Sequence, residues 1–322
     1  MLRAYRFDAK QSEQVEDWEA AADDLHSGEL LWLALRDPSD EEVAKIVEVL
    51  ELDDKLTPLL REPPERASVT DEGNCLYMTL VAIAGETEAP AAVSVECVLG
   101  ENWVVTSHHK EIEVLEEFLE RAEGGGQIGA LDSPSFAAAL GEWVVASYLR
   151  AFEAVETALE ELDAKVISQT PSRDVSAELD RLVELRLRVG SLRRALAPHR
   201  GVVRSLAHPE LDALSTEASA QLFADLESRV AQALSAAGDT KESIFGSFDL
   251  LVARIGQRTN DIMKVLTLGT VILLPATVLA GVMGMNFRVG LFDYAWMFWA
   301  VIAAMLGIAV LVLAAARARE WI

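Results

Sequence analysis

The chain has 322 residues, and its 52 acidic and 28 basic side chains give a formal charge of −24. A charge of this sign excludes a nucleic-acid-binding protein, which needs basic side chains to contact phosphates. The hydrophobic content of 51% excludes a disordered acidic chain, and two cysteines are too few for a disulfide framework.

The negative charge is concentrated ahead of residue 264. Residues 1–263 hold 24 basic and 50 acidic side chains, a net charge of −26. Such a surface keeps a protein soluble, and it also concentrates cations or binds divalent metals between subunits. Composition alone leaves both interpretations open.

Residues 1–126 alternate short apolar runs with charged helical stretches, which predicts a cytoplasmic α/β domain. Four β-branched or aromatic-rich runs bounded by turns are predicted strands: Leu30–Leu35, Cys75–Ala84, Val93–Gly100 and Asn102–His109. Three stretches are predicted helices: Ser39–Leu50, Asp53–Arg61 and Lys110–Glu123. Ser39 followed by Glu42 predicts a capping box at the first of them.

The next part of the chain, residues 127–209, is helical throughout and predicts a cytoplasmic helical hairpin. Its first helix begins near Ser133 and stops at Thr170-Pro171, and its second runs from Ser172 to about Leu206. No proline follows Glu210 until Pro275, so residues 210–263 predict a stalk helix that continues into the membrane segment. Such a rod, about 100 Å long, needs a bundle or an oligomer to stabilise it.

Two uncharged stretches near the C-terminus, each of 23 residues, predict membrane-spanning helices. One lies between Lys264 and Arg288, and the other between Asp293 and Arg317. Each exceeds the 20 or so apolar residues that cross a bilayer core, which gives predicted spans at 264–287 and 294–316. The alternative, two buried helices of a soluble protein, requires a surrounding protein layer that a hairpin of this length lacks.

The short connection 288–293 makes the two spans a hairpin with both flanks on one side. Basic residues occur on both flanks: Arg254, Arg258 and Lys264 before the first span, and Arg317 and Arg319 after the second. The positive-inside rule therefore predicts a multi-pass protein of the plasma (inner) membrane with both termini cytoplasmic, including the basic tail 317–322. Met1–Lys10 has no apolar core of a signal peptide, which agrees with this orientation.

One face of the first span carries small, polar and apolar residues at steps of three and four. Its members are Asn260, Met263, Leu266 or Thr267, Thr270, Leu274, Thr277 and Gly281. A face of this kind either packs helix against helix or lines a water path. Asn286, an amide at the outer end of the same span, favours the water path, since partly hydrated cations are partners for it. One hairpin cannot enclose a channel, so a pore requires several copies of the chain.

The motifs of this segment resemble those of the CorA family of divalent-metal transporters, including its zinc-transporting ZntB branch. The resemblance rests on NDIMKVLT from Asn260, PATVLAG from Pro275 and the tripeptide Gly284-Met285-Asn286 at the end of the first of two C-terminal spans. The segment Leu192–Leu206 is a further match, and the order of elements agrees over the whole chain.

The resemblance implies an α+β membrane protein that is a homopentamer, with long helices forming a funnel into a pore made by the first span. It implies an outer selectivity ring of Gly284, Met285 and Asn286. It further implies polar pore positions at Thr277, Thr270 and Asn260 and a hydrophobic constriction of Met263, Leu266 and Leu274. Asp225 aligns with a regulatory carboxylate that binds metal between subunits.

Two departures from the magnesium-type pattern leave the metal open. Met283 replaces the Tyr that usually precedes Gly-Met-Asn, and FRVGLFD replaces an acidic Met-Pro-Glu loop. Both weaken magnesium selectivity, whereas the intact tripeptide argues against the zinc branch. The five histidines and two cysteines show no zinc-ligand spacing.

The sequence therefore predicts transport of magnesium, cobalt or nickel through a pentameric pore in a lipid bilayer. Divalent cations are the substrate and a possible regulator, and no cofactor is expected. The alternatives are a zinc transporter, with or without proton coupling, and a non-conducting membrane scaffold. No phosphate-cradling loop, metal-hydrolase motif or nucleophile elbow indicates an enzyme.

Overall fold

The structure is a computed structural model that describes residues 2–8, 12–26, 28–85, 91–123, 132–168, 175–207, 217–285 and 295–319. The chain divides into two compact units, Met1–Ser247 and Phe248–Ile322. They are called here the N-terminal unit and the C-terminal unit. The predicted breaks after Glu123 and at Thr170-Pro171, and the connection 288–293, lie outside the described residues.

In the part of the chain that the structure describes, seven strands form one sheet with the order β2-β1-β3-β7-β6-β5-β4. The strands are β1 Leu2–Phe7, β2 Ser12–Gln14, β3 Leu30–Arg36, β4 Ser68–Asp71, β5 Leu76–Ala84, β6 Ala91–Leu99 and β7 Trp103–His108. β3 and β7 pair in parallel, and the other neighbours are antiparallel. The four predicted strands are confirmed as β3, β5, β6 and β7. The sequence analysis missed β1, in which Arg3 and Arg6 interrupt the apolar pattern, and the short polar edge strands β2 and β4.

Three short helices belong to the same core as one side of the sheet: α1 Trp18–Asp23, α2 Asp40–Val49 and α3 Leu56–Arg61. Val43 and Ile46 of α2 and Leu56 and Leu60 of α3 are fully buried there. The predicted capping box is confirmed, because the Ser39 side chain accepts from the Glu42 N–H and the Glu42 carboxylate accepts from the Ser39 N–H.

Long helices make up the rest of the described chain: α4 Glu113–Glu123, α5 Ser133–Ile167, α6 Val175–Ala207, α7 Glu217–Met283 and α8 Ala295–Ala318. α5 begins as predicted, with Asp132 as its N-cap. α7 is continuous through the predicted stalk and first span, as the absence of proline before Pro275 indicates. Buried residues of α6 and α7 include Leu192, Leu196, Leu226 and Val230.

Side chains of α5 and α6 complete the hydrogen bonding of β5 beyond the end of β4. β4 pairs with β5 only as far as Thr79. Further along, the Val81 N–H donates to His199 Nε2 at 3.0 Å, and the Tyr148 hydroxyl donates to the Val81 carbonyl at 2.8 Å. The Ile83 N–H donates to Ser147 Oγ at 3.1 Å. Because buried backbone groups need partners, these side chains fix the helices against the sheet.

The C-terminal unit contains the end of α7 and all of α8. Among the described residues, two helices are long and apolar enough to cross a membrane, Ser219–Met283 and Trp296–Ala318, and their apolar windows are 0% buried. A helix from the core of a soluble protein would be mostly buried. This exposure supports the membrane-spanning interpretation over buried core helices.

Candidate pore helix

The predicted stripe lies on α7, and every member of it is exposed in the chain. Its members are Asn260, Met263, Leu266, Thr267, Thr270, Leu274, Thr277 and Gly281. At 100° per residue they fall on one face of the helix. Nothing in the described chain covers this face, so it is available to water, lipid or another copy.

In the C-terminal part of α7, the face opposite the stripe is partly buried. Leu268, Ile272, Leu279 and Met283 are half-buried, and they lie about half a turn away from Thr270 and Thr277. α8 has a comparable half-buried face at Met297, Val301, Met305 and Ile308. The stripe therefore lies on the side of α7 that the C-terminal unit leaves uncovered.

Two of the three threonines of the span use their hydroxyl hydrogens within the helix. Thr270 Oγ1 donates to the Leu266 carbonyl at 2.9 Å, and Thr277 Oγ1 donates to the Leu273 carbonyl at 2.8 Å. A hydroxyl that has donated its hydrogen still has lone pairs on its oxygen. Each threonine thus presents an acceptor oxygen, which is the ligand type that hard divalent cations prefer.

The C-terminal end of α7 adds a second feature that favours cations. The helix ends at Met283, followed by a turn in which the Gly284 N–H donates to the Ala280 carbonyl and the Met285 N–H donates to the Val282 carbonyl. The last carbonyls of a helix carry partial negative charge at this end. Gly284 and Met285 lie at this turn, whereas Asn286 lies outside the described residues. The selectivity ring is therefore still a prediction.

Asp225 lies on the part of α7 that belongs to the N-terminal unit. Its carboxylate is exposed and accepts from Gln221 Nε2 at 3.2 Å. No group of three or more His, Cys, Asp or Glu side chains that could hold a metal occurs among the described residues. A regulatory role for Asp225 remains a prediction.

The sequence analysis missed two buried ionisable side chains of the N-terminal unit. Glu96 accepts from Tyr77 and from Thr79, the latter at 2.9 Å, and burial raises the pKa of its carboxyl to about 7. His199 is buried against β5, and loss of hydration lowers the pKa of its imidazole to about 4. Charge on either group is disfavoured by burial, so both contribute to folding as neutral groups.

Comparisons with known proteins agree with this architecture. The model of the family "CorA-like Mg2+ transporter protein" matches residues 27–316. The chain is 25% identical over 180 residues to the cobalt/magnesium transport protein CorA of Thermotoga maritima, covering 56% of this chain and half of the length of that relative. It is 23% identical to the cobalt/magnesium transport protein CorA of Methanocaldococcus jannaschii, covering 91% of this chain and 92% of that protein.

A solved structure has the same fold over nearly the whole chain. The complete structure of the CorA magnesium transporter from Methanocaldococcus jannaschii superposes with a TM-score of 0.79. The two are 21% identical, and the match covers 99% of this chain and 98% of the other. The likeness includes the N-terminal domain and both candidate spans.

Proposed function

The chain belongs to the CorA-like Mg2+ transporter family, and from this membership we propose that it transports divalent metal cations across a membrane. The observation that carries the proposal is the uncovered face of α7, where Thr270 and Thr277 present acceptor oxygens along an uncharged span. A face of this kind supplies oxygen ligands to a passing cation without a fixed charge that would trap it.

The pore is a homopentamer, with five copies of α7 around an axis. A single hairpin cannot enclose a path, and the exposed apolar side chains of α7, such as Met263, Leu266 and Leu274, need other copies or lipid to cover them. These three residues form the hydrophobic constriction. Gly284, Met285 and Asn286 form the outer ring, and Asn260, Thr270, Thr277 and Gly281 are the other residues that line the path.

The protein lies in the plasma membrane with both ends of the chain on the cytoplasmic side. Arg254, Arg258 and Lys264 on one flank and Arg317 and Arg319 on the other support this orientation. The acidic N-terminal unit would then face the cytoplasm.

The transported ion is magnesium, cobalt or nickel rather than zinc. The stripe offers only hydroxyl, amide and carbonyl oxygens and one thioether, whereas zinc prefers imidazole and thiolate ligands. Both relatives compared above are cobalt/magnesium transport proteins by name. Magnesium gives up water reluctantly, so it would pass the ring of Asn286 amides with most of its water shell.

Flux into liposomes tests the proposal directly. The purified protein is reconstituted, and uptake of magnesium, cobalt, nickel and zinc is measured with metal-sensitive dyes. We expect uptake of the first three to exceed that of zinc. Zinc uptake alone would support the zinc alternative, and no uptake of any of the four would support a non-conducting scaffold.

A matched pair of variants tests the stripe within the same assay. Thr270→Val removes an acceptor oxygen at almost constant volume, and we expect flux to fall about tenfold, the effect of losing roughly 1.4 kcal/mol of cation stabilisation. Ile272→Val changes the opposite, half-buried face, and we expect flux within about twofold of the original protein. Equal effects of the two substitutions would contradict the assignment of the pore face.

A further inference from the structure

Two helices of this acidic protein bring together four cations that have no acidic partner among the described residues. Arg186, Arg193 and Arg194 of α6 and Lys241 of α7 line a single groove within the N-terminal unit. Among the described residues, no carboxylate forms an ion pair within 4.0 Å of any of the four, whereas Arg181 of the same helix pairs with Glu184 at 2.8 Å.

The groove has the size and the lining of a ligand site. Its volume is about 570 Å³, within the range of roughly 300–1,000 Å³ that small-molecule sites occupy. Its wall is apolar and is formed by Val183, Leu187, Val189, Ala197 and Ala237. Leu187 is 67% exposed, so the chain itself leaves this wall uncovered.

Gly190 keeps the floor of the groove open. A Cβ atom added at Gly190 would lie 3.4 Å from Arg194 Nη1, and the glycine brings no side chain of its own. A bulky side chain at this position would fill the space between the arginines and the apolar wall.

Two of the four cations meet at an aromatic ring beside the groove. The Arg186 guanidinium lies 5.4 Å and the Lys241 ammonium 5.8 Å from the centroid of the Phe245 ring. The ring face attracts cations but does not neutralise them. Four cations around one groove repel one another, and a bound anion offsets this repulsion.

We propose that this groove binds a nucleoside di- or triphosphate. Arginine forks match the geometry of phosphate oxygens, and four cations call for an anion of several charges rather than a single carboxylate. The apolar wall at Val183 and Leu187 accommodates the nucleoside, which inorganic phosphates lack. A fatty acid would use the wall but would leave most of the positive charge uncompensated.

The experiment measures binding of a fluorescent N-methylanthraniloyl derivative of ATP to the full-length protein in detergent, without divalent metal. We expect saturable binding that ATP displaces at least tenfold more effectively than pyrophosphate or laurate does. Pyrophosphate as effective as ATP would overturn the role of the nucleoside. Displacement by laurate but not by ATP would identify a lipid site and overturn the proposal.

Variants locate the binding in the groove. We expect Arg193→Gln combined with Arg194→Gln to weaken binding at least tenfold, and Arg181→Gln, which removes an ion-paired arginine of the same helix, to leave it within twofold. Gly190→Leu removes no charge and has a higher helix propensity, so it should fold and yet block the groove. The affinity of each variant is compared only where its melting temperature equals that of the original protein. Absence of saturable binding, or equal affinity of Gly190→Leu and the original protein, would overturn the proposal.

Discussion

Among the described residues, most large aromatic side chains of the N-terminal unit are buried, whereas most of those of the C-terminal unit are exposed. Trp32 in the N-terminal unit is 1% exposed, and its ring contacts Phe118 and Phe136 at centroid distances of 5.6 and 4.9 Å. Trp299 in the C-terminal unit is 69% exposed. The N-terminal unit therefore completes its core within one chain. The C-terminal unit leaves its apolar surface exposed in the single chain, as a unit that crosses a membrane would.

The same change occurs along the single helix α7. In its N-terminal half, buried residues recur at helical spacing from Phe223 to Ile244. Thr240 donates to Glu156 and Ser247 donates to Asp163, each at 2.8 Å, which ties this half to α5. From Val252 to Met283, all of which the structure describes, no residue is buried. Substitutions in the first half should affect folding, and substitutions in the second half should affect assembly and transport.

The largest effect is expected in the aromatic core of the N-terminal unit. Phe136→Ala removes a fully buried ring that packs against Trp32 and Phe118, and we expect the free energy of unfolding to fall by about 3–5 kcal/mol. Phe298→Ala, at a site that is 58% exposed, should change it by less than about 1 kcal/mol in detergent.

Thermal unfolding of the full chain, followed by tryptophan fluorescence, measures both changes. Phe136→Leu should lower the melting temperature less than Phe136→Ala does. It provides a measurable value if the alanine variant does not fold. A melting temperature that falls equally for Phe136→Ala and Phe298→Ala would contradict the contrast between the units.

The next effect concerns pH and the buried carboxyl of Glu96. Its pKa is raised from 4.5 to about 7 in the folded protein, so the folded state keeps a proton that the unfolded state has lost between these values. The protonated carboxyl adds roughly 3 kcal/mol to the free energy of unfolding below pH 4.5. This contribution declines as pH rises toward 7 and is absent above pH 7. Glu96→Gln keeps the group neutral at every pH.

The difference in stability between Glu96→Gln and the original protein isolates this titration. Between pH 4.5 and pH 7 we expect the variant to gain about 3 kcal/mol of unfolding free energy relative to the original protein. Above pH 7 the difference should remain constant. Glu101→Gln, at an exposed site, is the control variant. A constant difference between Glu96→Gln and the original protein would show that Glu96 is ionised in the folded state.

His199 titrates in the opposite sense and masks Glu96 in the original protein. Its pKa is lowered from 6.5 to about 4, because burial disfavours the charged imidazolium. Its contribution is present above pH 6.5 and is lost as pH falls toward 4. Between these values the two contributions oppose each other. The Glu96→Gln variant should therefore be more sensitive to acid than the original protein.

In the C-terminal unit the expected change is in transport. In the proposed pore, Asn286→Ala removes one amide oxygen from each copy of the chain. We expect divalent flux to fall by about 10- to 100-fold, the effect of losing contacts to a charged group worth about 1.5–3 kcal/mol. Flux per reconstituted protein is compared at an unchanged melting temperature. An unchanged rate together with unchanged metal preference would remove Asn286 from the filter.

Much of the architecture followed from local patterns, and what was missed depends on long-range contacts. The apolar runs of β5 and β6 and the capping box of Ser39 are readable from neighbouring residues. β4, with the sequence SVTD, has no apolar pattern and forms through pairing with β5. The pairing of His199 with Val81 joins residues 118 positions apart, and no local spacing indicates it. The shared face of the α7 stripe was predictable because helical spacing alone places its members together, whereas its role as a pore lining stays a prediction.

The smallest effect concerns Asp225 and the negative charge of residues 1–263. In the proposed assembly, carboxylates that face each other between copies would repel one another, so a divalent ion between them should favour a closed, compact state. Asp225 is exposed and accepts only from Gln221 among the described residues, which leaves its carboxylate available to such an ion. Asp225→Lys replaces the ion with a fixed positive charge, and Glu242→Lys is a matched control at an exposed site on another face of α7.

Chymotrypsin cleavage with and without magnesium distinguishes the outcomes, because the new lysine creates no site for this protease. In the original protein and in Glu242→Lys, magnesium should slow cleavage of α7, by less than about fivefold since exposed charges contribute at most about 1 kcal/mol. In Asp225→Lys, cleavage should be slow with or without the metal. Equal magnesium protection in all three proteins would exclude Asp225 from gating. If magnesium protected none of them, the acidic surface would serve only solubility and the attraction of cations to the pore entrance.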